Sequence, residues 1–228
     1  MEILKYSTYL TEALPCIFCI IFFKKIITKD IKVFFIYTSL FLFFFLLQLY
    51  FRYGLHSYPL KFLVIRINII TEFILLGLFY YYNVRFKYKK EVLIVASVGF
   101  ILFSIYDYHV TAKDDFRYLP LVIQASFFLV VIPYFFYENM RYSLEKPVYL
   151  LPSFWISIAF LIYFSGNFFQ FLGSEIYEDK QFIDLSNLVY DVVTIIKDTL
   201  LCIAIVVNNS IEKETHKPNM PINFDLGF

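Results

Sequence analysis

The sequence predicts an all-α integral membrane bundle of seven transmembrane helices, with the N-terminus outside and the C-terminus in the cytoplasm. Three observations carry this prediction. Hydrophobic residues make up 60% of the 228, aromatics alone 22%, and mean hydropathy is +0.68, well beyond the roughly 45–50% apolar content of soluble domains. The apolar residues fall into seven stretches of about the ~20 residues that a bilayer-crossing helix needs. The basic residues between those stretches are unevenly shared between the two sides.

The seven stretches lie at about 6–23, 33–51, 62–82, 92–108, 118–137, 149–172 and 183–207. They are apolar on all sides and lack the polar–apolar alternation of barrel strands, so they read as helices. The first, with Glu12 and Pro15 inside it, is no cleaved signal: its cations Lys24 and Lys25 follow the apolar run instead of preceding it. The fourth, VLIVASVGFILFSIYDY, is short for a span and calls for local bilayer thinning or extension into its flanks. Pro59, Pro120, Pro147 and Pro152 stand near helix starts, where a missing N–H costs little, while Pro15 and Pro133 lie deeper and are expected to kink spans one and five. These stretches define a transmembrane domain over residues 1–207 and a short polar cytoplasmic tail over 208–228.

Orientation follows from the loops. Lys24, Lys25, Lys29, Lys32, Arg85, Lys87, Lys89, Lys90, Arg141, Lys146, Lys213 and Lys217 fall on one side. The other side has Lys5, Arg52, Lys61, Lys113, Arg117 and Lys180. Twelve against six places the first group in the cytoplasm by the positive-inside rule. The expected location is a multi-pass protein of the cell inner (plasma) membrane.

The seventh stretch, DLSNLVYDVVTIIKDTLLCIAIVV, carries an unusual load for a membrane helix. At ~100° per residue, Asp184, Asn187, Thr194, Asp198 and Cys202 all lie within about 60° of Asp191. An ionised group at mid-bilayer costs ~2.5–3.5 kcal/mol on insertion scales, so this stripe must face the bundle. Lys197 lies about 120° from Asp191, on a flank from which it can swing to Asp198 or a neighbouring helix, or snorkel. Partners are expected from the sixth span (Tyr163, Asn167, Gln170) and the third (Asn68, Thr71, Glu72), with Glu12, Gln124 and Ser126 completing the inventory. Asp191, Asp198, Lys197, Asn187, Glu72, Asn68, Asn167 and Gln170 together form the expected ligand-binding or proton-sensing polar core.

Other chemistry finds little support. No span contains a histidine; His56 and His109 sit in outer loops and His216 in the tail, which argues against an intramembrane zinc hydrolase. An external metal site from His56, His109, Asp107, Asp114 and Asp115 competes with the simpler reading of these as solvated loop residues. Cys16, Cys19 and Cys202 all lie inside spans, where two thiols one helical turn apart serve as packing residues. No GxSxG, HExxH, P-loop or kinase motif occurs. Paired glycine or proline breaks of the repeat-type transporters are missing as well. A retinal pigment built on Lys197 resembles the microbial rhodopsins in topology and in that lysine alone: the third span reads RINIITEF, and Trp155 is the single tryptophan.

The sixth and seventh spans, FWISIAFLIYFSGNFFQFLG and IIKDTLLCIAIVV, resemble small, mostly uncharacterised seven-transmembrane proteins of Bacteroidota (Flavobacteria and relatives), some of them encoded near sensor kinases. That resemblance implies a membrane-sensing or signalling accessory role and carries over no catalytic residue. The expected function is therefore non-enzymatic: a receptor- or sensor-like protein with an intramembrane polar core, or alternatively a small transporter or proton/ion pathway using the same acids. Expected partners are the lipid bilayer, a cytoplasmic signalling partner or second copy of the chain, and a small ligand of unknown identity. No nucleic acid, cofactor or metal is called for.

Overall fold

The computed structural model describes residues 2–22, 29–111, 117–142, 147–174 and 180–215. Seven long helices occur among them: α1 (Glu2–Ile21), α2 (Lys29–Leu49), α3 (Tyr58–Asn83), α4 (Lys89–Val110), α5 (Leu119–Tyr142), α6 (Pro152–Ser174) and α7 (Lys180–Thr215). A π-helical turn, Tyr50–Gly54, extends α2, and a 3-10 turn, Val148–Leu150, leads into α6. No strand occurs among the described residues.

Prolines mark the starts as their missing N–H and fixed φ dictate: Pro59 sits in the first turn of α3 and Pro152 opens α6. The fourth helix is not short. At 22 residues it runs into both flanks, from Lys89 to Val110. The seventh is far longer than its apolar run, 36 residues, and continues through Asn208 and Asn209 to Thr215. The polar tail therefore begins as helix; its remainder, 216–228, lies outside the described residues. Pro15 and Pro133 stand inside α1 and α5 as the sequence indicates.

Five helical segments are long and apolar enough to cross a membrane: Lys29–Gly54, Tyr58–Asn83, Lys89–Val110, Leu119–Arg141 and Pro152–Ser174; α1 adds a shorter apolar stretch, Ser7–Ile21. Their outward faces carry Phe43, Leu46, Val95, Leu102, Val130 and Phe169, all exposed. So much outward apolar surface has its natural solvent in lipid. The molecule is a multi-pass membrane protein.

Helix packing runs α1–α2–α3–α5–α6–α7 and back to α1, with α4 laid against α3 and α5 outside this ring. Glycines set the closest approaches. A Cβ on Gly77 would meet Leu93 at 2.4 Å, drawing α4 onto α3, and one on Gly166 would meet Val193 at 2.7 Å, drawing α7 onto α6. Aromatic rings fill the helix contacts: Phe73 of α3 stacks on Phe100 of α4 (4.2 Å between centroids) and Phe128 of α5 on Phe164 of α6 (5.3 Å). Ala125, Phe128, Ile132, Ile156, Ala159 and Phe160 are wholly buried. Away from this aromatic packing, between the start of α7 and its neighbours, the interior turns polar.

Candidate functional site

The polar stripe of α7 grades from solvent to core. Asp184 and Asn187 are exposed, Asp191 is half-buried, and Thr194 and Asp198 are buried. Asp198 therefore lies ~10 Å deeper along the helix than Asp191 at 1.5 Å per residue. Both acids face inward, as the periodicity requires. Their partners, however, come from α1 rather than from α3 or α6. Thr8 Oγ1 donates to Asp191 Oδ1 at 3.2 Å. The Thr11 hydroxyl stands beside Asp198, yet its proton goes to the Thr8 carbonyl (3.0 Å), leaving Asp198 Oδ2 without a donor. The reason is topological: the ring closes by packing α1 directly on α7.

Lys197 does not stay on a flank or snorkel. It is only 2% exposed, and its ammonium reaches Asp198 Oδ1 at 3.2 Å. The same ammonium lies over two rings, Phe41 of α2 (4.6 Å to the centroid) and Tyr163 of α6 (4.9 Å). Because α7 is flanked by α1 and α6, the side of the helix about 120° from Asp191 also faces protein, and the flexible four-carbon stem covers the remaining distance.

Two further acids surround this pair. Glu72 of α3, 5% exposed, accepts from the Tyr37 hydroxyl (3.0 Å) and from Gln124 Nε2 (2.9 Å), so both its oxygens are engaged. Glu12 of α1, 7% exposed, has an oxygen, Oε2, with no hydrogen-bond partner. The Lys197 charge acts on both, as it does on Asp198. Lys197 thus contacts Asp198, with Glu12 and Glu72 as two further buried acids near it. Glu12, Tyr37, Gln124, Thr8 and Thr11 complete a cluster whose acids α3 and α7 announce in sequence. Glu12 and Thr8 had a readable signal, since Thr8, Glu12, Cys16 and Cys19 repeat at helical spacing and are all buried. Tyr37 had none; within KVFFIYTSLFLFFF it reads as one aromatic among many.

The cluster borders a cavity of about 500 Å³ between α1, α2, α3, α5, α6 and α7. Its polar lining includes Glu12, Glu72, Asn68, Gln170, Asn187 and Lys61, and its aromatic lining includes Phe41, Phe45, Tyr163 and Tyr190. A second hollow of about 570 Å³, adding Thr8, Arg52 and Asp191, shares the Glu12, Phe45, Gln48, Lys61, Ile65, Asn187 and Tyr190 walls. Asn68, Glu72, Gln170, Asn187 and Asp191 of the expected core are thereby brought to one continuous region. Asn167 is not among the lining residues; it is wholly buried, and neither its Oδ1 nor its Nδ2 has a hydrogen-bond partner. Burying an amide unpaired costs ~1–3 kcal/mol.

The reading of Asp107 as a solvated loop residue is corrected by the structure. Asp107 belongs to α4, is buried, and forms an ion pair with the buried Arg66 of α3, with Arg117 at 3.8 Å on its other oxygen. Its oxygens are committed to guanidinium groups. Asp107 lies within the fourth apolar stretch, 92–108, and the last turns of α4 hold it against α3 as an interhelical tie, not as a solvated loop residue. His56, in the α2–α3 turn, and His109, in the last turn of α4, are exposed, and Asp114 and Asp115 lie outside the described residues. Among the described residues no three His, Cys, Asp or Glu side chains converge as metal ligands. Cys16 and Cys19 are buried packing residues, and Cys19 Sγ lies 3.6 Å from Thr38 Oγ1.

No family model, curated protein or solved structure matches the chain, so the geometry of this cavity and its charges is the ground on which its function is argued.

Proposed function

We propose that the protein is a non-enzymatic seven-helix receptor or sensor of the inner membrane, or a signalling accessory, with the cavity as its ligand site and the Lys197 cluster as its switch. The observation that carries this reading is a buried ion pair beside the cavity: Lys197 meets Asp198 at 3.2 Å and lies over Phe41 and Tyr163, which line the cavity together with the buried acids Glu12 and Glu72. Such a cluster has more than one self-consistent arrangement, because a buried charge is tolerated only when paired. Whatever alters the charge at Glu12, Asp191 or Asp198, a ligand or a proton, changes which carboxylate Lys197 serves. Lys197 touches α2 and α6 and lies near acids of α1 and α3, so its choice of partner biases how these helices pack together.

This reading takes all seven helices as spans. The deeper charges of α7 count against it only if they face lipid, and Asp191 and Lys197 face α1, α2 and α6. With the positive-inside orientation, the mouth near Lys61 and Asn187 opens outside, and the basic turn before α4 is cytoplasmic and available to a partner or a second copy. The resemblance to the small Bacteroidota seven-span proteins is in keeping with such a role.

A second reading, a small transporter or proton pathway, is favoured by one observation: the cavity already leads from one end of the bundle to buried acids. Proteoliposome flux separates the two. Solute or proton flux abolished by Asp191→Asn supports the transporter and overturns the receptor; liposomes no leakier than protein-free controls support the receptor.

A further inference from the structure

We propose that the cavity recognises a protonated primary or secondary amine, with Glu12 as its counter-ion and Gln170 as a second acceptor. The inference rests on the reading of the cavity as a ligand site and names the ligand's chemistry. Two lining atoms set that chemistry. Glu12 Oε2 and Gln170 Oε1 both lack a hydrogen-bond partner, and both are acceptors. A ligand that satisfies them must bring N–H or O–H donors, and an ammonium brings up to three together with a positive charge. Glu12 is more than nine-tenths buried, so an unpaired charge there is costly and a cationic donor offsets it. Glu72 does not compete for this part, since Tyr37 and Gln124 already occupy its oxygens.

The walls suit the same head group. Phe41 and Tyr163 line the cavity, and both already hold one ammonium, that of Lys197, over their rings. Aromatic faces attract cations most strongly where water is excluded. The opposing charges are Lys197, buried but paired with Asp198 at 3.2 Å, and Lys61 and Arg52, both half-exposed, so that solvent screens them. A volume of about 500 Å³ leaves room for an aromatic or alkyl body behind the amine.

The test uses the full chain in phosphatidylcholine nanodiscs at fixed ionic strength, titrated with 2-phenylethylamine, its neutral isostere 2-phenylethanol, and tetramethylammonium, which has charge without N–H donors. Calorimetry and thermal shift should show the amine binding at least tenfold more tightly than either of the others. Glu12→Gln should erase that preference while helix content is retained, and Gln170→Leu should weaken the amine several-fold. Equal binding of amine and alcohol, both lost in the cavity-filling variant Asn68→Phe, would overturn the amine while leaving a ligand cavity. Binding of none of the three would overturn both, and an amine affinity unaffected by Glu12→Gln would overturn the assigned counter-ion.

Discussion

Lys197 and Asp198 can be tested as a pair. Lys197→Met keeps an unbranched stem of similar length and deletes the charge. It leaves Asp198, Glu72 and Glu12 buried without their cation, and removing one member of a buried pair costs about 3–5 kcal/mol. Losing the ammonium contacts with Phe41 and Tyr163 contributes ~0.5–2 kcal/mol each within that total. Asp198→Asn should cost less, about 1–3 kcal/mol, because Glu72 and Glu12 remain to balance Lys197. The double variant removes both charges of the 3.2 Å contact, so its cost should fall short of the sum by ~1–3 kcal/mol. Recovery stays partial, since Glu72 and Glu12 still lack their lysine; adding Glu72→Gln should improve it. Reversible unfolding in mixed micelles, followed by helical circular dichroism and by the single tryptophan, Trp155, measures all four corners of the cycle. Additivity within ~0.5 kcal/mol would mean that the two groups do not meet in the folded protein, and the switch reasoning would fall with them.

Orientation is checked by single cysteines in a background with Cys16, Cys19 and Cys202 replaced: Lys87→Cys should react with an impermeant reagent only after permeabilisation, and Gln181→Cys in intact cells. The reverse pattern would invert the assigned topology. Arg66→Leu or Asp107→Asn alone should destabilise by about 3–5 kcal/mol, whereas the paired apolar change Arg66→Leu with Asp107→Leu should recover most of it by the same unfolding assay. For Asn167, whose amide has no partner, Asn167→Leu should leave stability unchanged or raise it by about 1–3 kcal/mol. A large loss there would show that the amide is paired in the working protein.

What the sequence determined by itself is the environment. Sixty per cent apolar residues, gathered in stretches of about twenty, allow no other solvent than lipid for most of the chain. The inward direction of the α7 stripe was legible too, because ionised groups at depth cannot face hydrocarbon and helical periodicity puts Asp191 and Asp198 on one side. Periodicity describes one helix at a time, though, and the choice of partner depends on which helices touch. Only the tertiary packing decided that Asp191 meets Thr8 of α1, that Glu72 is clasped by Tyr37 and Gln124, and that Arg66 and Asp107 tie α3 to α4. Lys197 shows the difference most plainly. Its angle on the wheel is the same in any arrangement; a neighbour on each side of α7 turns that flank into core, and the long stem then carries the ammonium to Asp198, Phe41 and Tyr163.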